Sequence, residues 1–163
     1  MRSRSTRPNA RLPDSVPDLS IRVRGVILRE DGAVLMDRTH HPDRDVFYWL
    51  PGGGLEPGET SEQCLQRELM EEAALEIEVG RLLYVSENIY TESGDHRHEV
   101  ILYRLAAVRG GPHGTPSDPR MHEWHRPGTQ PGPLLPEVVA RALELDVAEG
   151  FRRPIQHLVS IAP

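Results

Sequence analysis

Apolar residues alternate or cluster in short runs along most of this chain, and only two stretches space them as a helix would. The first run, Ile21 to Arg29, predicts a strand, and Asp31-Gly32 signals a hairpin into a second, Ala33 to Asp37. His40 to Arg44 is polar and turn-like, and Val46 to Leu50 predicts a short strand running into three consecutive glycines. Thr60 is placed as a helix N-cap, with Gln63 completing a capping box three residues on. Leu65, Leu69 and Ala73 then recur at i, i+4, i+8, the buried stripe of a helix that ends near Ala73. Two longer strands follow, Ile77 to about Tyr90 and His98 to Val108. Gly110 to Pro133, with six prolines and five glycines around Trp124, breaks the pattern and predicts a long loop. Beyond it, Leu135 to about Val147 reads as an amphipathic helix with Pro136 in its first turn, and Ile155 to Ile161 as an edge strand.

Strands, one helix, strands and a terminal helix make the class α+β, or a mixed sheet sandwiched by helices. At 163 residues the chain is read as one domain, residues 21–163, behind a flexible tail over residues 1–20. No run approaches the ~18 apolar residues of a membrane span. The basic N-terminus lacks the apolar segment of a signal peptide, so a cytoplasmic location and no membrane partner are expected. The single cysteine, Cys64, excludes an internal disulfide and a thiolate zinc cluster. A net charge of −6 argues against a duplex nucleic-acid binder but leaves a nucleotide ligand open, because a metal ion inverts the local potential.

Chemistry concentrates in one stretch, in which Pro51-Gly52-Gly53-Gly54 precedes Glu59 and then Arg67-Glu68-Leu69-Met70-Glu71-Glu72. On a helical wheel advancing about 100° per residue, Glu71 lies roughly 60° to one side of Glu68 and Glu72 roughly 40° to the other. Like charges at these spacings repel by a few tenths of a kcal/mol per pair. A magnesium or manganese ion reverses that sign, since hard cations take oxygen ligands and retain waters and substrate phosphates. Arg67 stands beside Glu71 on the wheel and can hold a carboxylate by a charge-assisted hydrogen bond. The glycines permit positive φ and close backbone approach, which would let a main-chain carbonyl join the metal shell.

The stretch resembles the Nudix box, G-x5-E-x7-R-E-U-x-E-E-x-G-U with U a bulky apolar residue. Gly53, Glu59, Arg67, Glu68, Leu69, Glu71, Glu72 and Leu75 fit, while Ala74 stands where the family has its last glycine. The box covers 23 of the 163 residues, and the flanking order of elements extends the likeness over most of residues 21–148. The resemblance implies a Nudix-like α/β/α sandwich with a mixed β-sheet. It implies metal-dependent hydrolysis of a nucleoside diphosphate linked to another moiety, with Mg2+ or Mn2+ as cofactor. Glu68, Glu71 and Glu72 would be metal ligands, Gly52 a carbonyl donor and Arg67 the orienting residue. A homodimer is a further expectation from the family.

Family members often draw another carboxylate from a later loop; Glu123 is the candidate here and Glu99 the runner-up. Trp124 and Tyr90 are candidates to stack on a base, core packing being the commoner fate of either. Arg22 and Arg24 alternate along the first strand, facing either phosphates or solvent. The pairs His96/His98 and His122/His125 lack a zinc motif and are read as surface or loop histidines. Two rivals share the scaffold: a nucleotide-sensing domain without catalysis, and an isomerase acting on a phosphorylated compound.

Overall fold

The computed structural model describes residues 18–41, 44–92, 94–110 and 122–161. Its elements in chain order are β1 (Asp18–Leu28), β2 (Val34–His41), β3 (Arg44–Trp49), β4 (Gly52–Gly54), α1 (Ser61–Ala73), β5 (Glu76–Glu92), β6 (Asp95–Gly110), β7 (His122–His125), α2 (Glu137–Glu149) and β8 (Gln156–Ile161). The sheet runs β3-β2-β1-β6-β5-β8, with β4 on β1 and β7 on β2. The β1/β6 and β5/β8 pairs are parallel and the rest antiparallel, a mixed sheet as expected.

Two apolar clusters hold a helix on each face. Val23, Ile27, Leu35 and Ala106 pack with Cys64, Leu65, Leu69 and Ala73 of α1. Val26, Val34, Met36, Tyr48, Tyr84 and Tyr103 pack with Val139, Ala142 and Leu143 of α2. Alternation sorts the side chains of residues 26–28 in β1 and 34–36 in β2 between two buried faces, which explains why those two stretches are apolar without a break.

The hairpin strands β1 and β2 meet in register only at Leu28 and Val34. Past that point β3 pairs with β2 and β4 pairs with β1, so the β3–β4 segment runs between the two diverging strands. Val34 and Asp37 have partners on both sides, which places β7 on the other edge of β2. The divergence delivers the glycine turn to the end of α1.

Thr60 caps α1 with the full capping box, Gln63 N–H donating to its hydroxyl and Thr60 N–H to the Gln63 side chain. Ala74 closes the helix in the left-handed conformation at φ 51°, its N–H reaching the Leu69 and Met70 carbonyls. The helix thus ends as a glycine would end it, at a cost of about 1–2 kcal/mol for an L side chain in that region.

Three boundaries differ from expectation. The polar stretch at residues 40–44 contributes to strands, since β2 extends to His41, which pairs with Arg44 of β3; residues 42–43 lie outside the described residues. The Pro/Gly-rich segment is not a continuous loop: residues 122–125 form β7, a four-residue strand too short to show a period in sequence but specified by pairing with Val34–Asp37. Pro136 is the N-cap of α2 in extended conformation, not a first-turn residue, so the helix begins at Glu137. Of the tail, residues 1–17 lie outside the described residues, and the backbone of Asp18–Ser20 pairs with Arg97–Glu99. Among the described residues no helix is long and apolar enough to cross a membrane.

Candidate active site

Arg67, near the middle of α1, organises the carboxylates. Its Nε and Nη2 donate to the two Glu59 oxygens at 3.2 and 2.8 Å, a bidentate grip. Nη1 donates to Glu68 Oε1 at 3.0 Å and lies 3.5 Å from Glu71 Oε2, while Nη2 also reaches the Gly54 carbonyl at 3.2 Å. Glu59 closes its own loop by accepting the Glu56 N–H at 2.8 Å. The Arg67 guanidinium, followed by that backbone bond, holds the Glu59 carboxyl down at about 2. Glu59 is thereby a structural anion that fixes Arg67, which in turn fixes Glu68.

Glu68 fills the space that a side chain at position 53 would need: a Cβ on Gly53 would overlap its carboxyl group. Its side chain is only 13% exposed, whereas that of Glu71 is 61% exposed. Beside Glu68, Cys64 donates its thiol to the Gly54 carbonyl at 3.3 Å. Burial pushes that thiol up to about 12, so it acts as a packed donor and not as a nucleophile. At Gly52 φ is +134°, and a Cβ there would collide with the Val23 carbonyl of β1, so close strand approach and backbone conformation both require glycine.

Glu72, one turn beyond Glu68, faces β2 and β7. Partial burial comes first in raising its carboxyl pKa, followed by the charges of Asp37 and Glu68, with His122 and Arg24 acting against them. His122 is 8% exposed, and its Nδ1 lies 2.7 Å from Asp37 Oδ1 and its Nε2 3.2 Å from the Glu72 carbonyl oxygen. Both partners are acceptors, so only the imidazolium satisfies both ring nitrogens. The bond to Asp37 raises the His122 pKa, against the pull of burial. His122 is therefore no loop histidine. It pins the end of α1 to β2, and it is the pairing of β7 with β2, not a period in the sequence, that sets the alternation placing His122 and Trp124 on the α1 side.

That alternation also relocates Glu123. It pairs with Met36, whose side chain belongs to the cluster under α2, and its Oε2 accepts from Tyr48 at 2.9 Å and contacts His125 Nε2 at 2.8 Å. Its carboxylate points to the sheet face opposite Glu68 and Glu72. Trp124 packs against the α1-side cluster with the Arg29 guanidinium 5.1 Å from its ring centre. Tyr90 is half-buried on β5, opposite Arg97. Glu99 lies on β6, 3.9 Å from Arg22. Arg24 sits opposite Gly52 in the β1/β4 register, donates to the Leu50 carbonyl and lies 5.3 Å from the Trp49 ring centre.

Among the described residues, no three acidic, histidine or cysteine side chains converge as a ready-made cation cage. Magnesium does not require one, binding through one or two carboxylates completed by waters and substrate phosphates. Glu68, held at the glycine turn, and Glu72, set among Asp37 and Glu68, are oxygen donors of that kind, and the residues present fit a hard divalent ion.

The family model described as NUDIX domain matches residues 19–137. Human diphosphoinositol polyphosphate phosphohydrolase 3-beta is 36% identical over 80 residues, 49% of this chain and 44% of that protein. The chain thus spans less than half the length of this curated relative. The solution structure of the E. coli ORF135 protein superposes with a TM-score of 0.60 at 25% identity, covering 85% of this chain and 95% of that one. The MutT NUDIX hydrolase from Burkholderia pseudomallei superposes with a TM-score of 0.55 at 26% identity, covering 78% and 97%.

Proposed function

The chain belongs to the NUDIX domain family, and on that premise we propose that it is a metal-dependent hydrolase of phosphoric anhydrides. Its substrate is a small molecule in which a diphosphate joins a nucleoside or another polar group. The observation that carries this reading is the carboxylate pair Glu68 and Glu72 at the glycine turn, with Glu68 gripped by the Glu59-anchored Arg67.

Glu68 and Glu72 would hold the ion together with the Gly52 carbonyl, and the exposed Glu71 would complete the set from the solvent side. A bound Mg2+ or Mn2+ would neutralise the diphosphate oxygens and draw electron density from phosphorus. Arg67 keeps Glu68 in one orientation, so little reorganisation is needed when substrate arrives. His122 and Asp37 fix the end of α1 and with it the backbone of Glu72. Glu123, the candidate carboxylate from outside α1, is already engaged by Tyr48 and His125 and acts as a structural anion on the other face of the sheet.

The test is a substrate panel with the full chain: ADP-ribose, a UDP-sugar, diadenosine tetraphosphate, nucleoside triphosphates and a diphosphoinositol polyphosphate, each with magnesium, manganese or EDTA. At least one is expected to release a phosphate or monophosphate product, identified by mass, with EDTA abolishing release and added metal restoring it. Metal-independent release, or none from any compound, sinks the proposal. Gly53→Ala checks the geometry: the added methyl displaces the Glu68 carboxyl, whose flexible side chain moves at little cost to the fold. The expected outcome is a loss of roughly a hundredfold in kcat/KM, the scale of an ångström-sized misplacement, with the thermal midpoint nearly unchanged.

A further inference from the structure

The sheet outruns the helix that covers it. On β1 the apolar cluster under α1 stops at Val23, and the start of the strand lies beyond it. Ile21 and Leu19 stand two and four residues before Val23, so their side chains point to the same side of the sheet. Strand pairing carries that face outward. Leu19 pairs with His98, His98 with Ile89 and Ile89 with Ile161, and the next row runs Ile21, Val100, Glu87, Val159. Directly opposed residues share a face, so both rows lie on the α1 side across β1, β6, β5 and β8.

Leu19, Ile21, Ile89, Val159 and Ile161 are all exposed, Ile161 at 72% and Leu19 at 62%. They are five of the eight large apolar side chains exposed among the described residues. Scattered singly, such side chains are ordinary on a surface, but these five are gathered over four adjacent strands, as at a contact surface. The β8 part of the face lies beyond residues 19–137 matched by the family model, so that model does not specify it.

We infer that this face docks against the same face of a second copy of the chain, sheet on sheet about a two-fold axis. Thickness favours a copy: stacked sheets lie about 10 Å apart and a helix with its side chains is about 10–12 Å across. The partner's sheet end therefore fits the layer beside α1 that the helix leaves open. Area points the same way. Four strands and three same-face positions along each give a flat footprint of roughly 400 Å², half of the about 800 Å² per partner in a standard interface. Two-fold docking adds to it twice, because each sheet end also meets the flank of the other copy's α1. Charge permits the contact. Glu87, the one carboxylate in the two rows, lies 2.6 Å from His157 Nε2 and 3.6 Å from His98 Nε2, so each copy brings its anion already partnered. The inference goes beyond the hydrolase reading and stands whether or not the chain cleaves anhydrides.

Sedimentation equilibrium of the full chain tests it. A monomer–dimer equilibrium is expected with a dissociation constant on the order of 10 µM, as suits an interface of modest size. Ile21→Lys and Ile89→Lys, at exposed positions that do not hold the fold, are each expected to weaken it at least about tenfold by placing a cation from each copy in the contact. Leu145→Lys makes the same change at an exposed position on α2 and is expected to move it less than about twofold. As a second readout, the thiol of Val159→Cys should lose reactivity toward a maleimide as concentration rises through the dimer range; the native Cys64 is buried.

A chain that stays monomeric up to about 500 µM overturns the inference, and so does a dimer weakened equally by Ile21→Lys and Leu145→Lys. A monomer whose Val159→Cys thiol is shielded at every concentration assigns the cover to another segment of the same chain, such as residues 1–17, and overturns it equally.

Discussion

Glu72→Gln is expected to abolish anhydride hydrolysis, by about a thousandfold or more in kcat, the scale of removing one charge-stabilising group from a preorganised site. The same substitution is expected to leave the fold intact or slightly more stable. Glu72 lies near Asp37 and Glu68, which with partial burial raise its pKa, so its charge is held against repulsion in the metal-free protein. Neutralising it relieves a few tenths of a kcal/mol per like-charged neighbour. Activity lost while stability holds is the signature of a functional group retained at a cost to the fold. Paired measurement of kcat and of the urea midpoint without metal checks both halves. Near-normal turnover with magnesium, or a collapse of stability, removes Glu72 from the role given to it.

The second large effect concerns the fold. Asp146 on α2 is 1% exposed and accepts from Tyr84 Oη at 2.6 Å, Arg153 Nε at 2.7 Å and Gln156 Nε2 at 3.2 Å. Arg153 also donates to the Ala142 carbonyl at 2.7 Å. One carboxylate therefore joins α2, β5 and the start of β8. Asp146→Ala strands the buried Tyr84 hydroxyl and takes the carboxylate from the half-buried Arg153 guanidinium, and is expected to cost about 2–3 kcal/mol in urea unfolding.

Burial by itself would raise the Asp146 carboxyl, but hydrogen bonds from Arg153 and Tyr84 outweigh it and the net pKa lies below the ordinary aspartate value. A group depressed in the folded state adds stability that is present above its unfolded pKa and is lost as pH falls through its folded one. The advantage of the wild type over Asp146→Asn should therefore hold at neutral pH and shrink once the pH drops below the ordinary aspartate range. A difference that is absent at neutral pH, or unchanged in acid, would remove the ionised carboxylate from this account.

Glu123 and His122 show why the site was only partly legible beforehand. They are adjacent in sequence, and a carboxylate beside a tryptophan in a Pro/Gly-rich segment is a reasonable candidate for chemistry. Strand pairing decides otherwise, because a one-residue step along β7 turns a side chain from one face of the sheet to the other. His122 reaches the end of α1, while Glu123 meets Tyr48 on the opposite face. The two glutamates nearest the glycine turn were legible for the opposite reason: their spacing within one helix sets their common direction whatever the helix packs against.

The constellation along α1 follows from neighbouring residues. The capping box starts α1, its apolar stripe at Leu65, Leu69 and Ala73 buries one side, and the remaining side presents Glu68 and Glu72. All of these depend on residues within a few positions of one another, so periodicity and short-range chemistry suffice. Long-range packing sets the rest: the divergence of β1 from β2 and the His122–Asp37 clamp decide what α1 faces, and the buried Asp146 node ties α2 to the sheet. Each joins residues distant in the chain through register and packing, and no local pattern encodes which distant partner a polar side chain will meet.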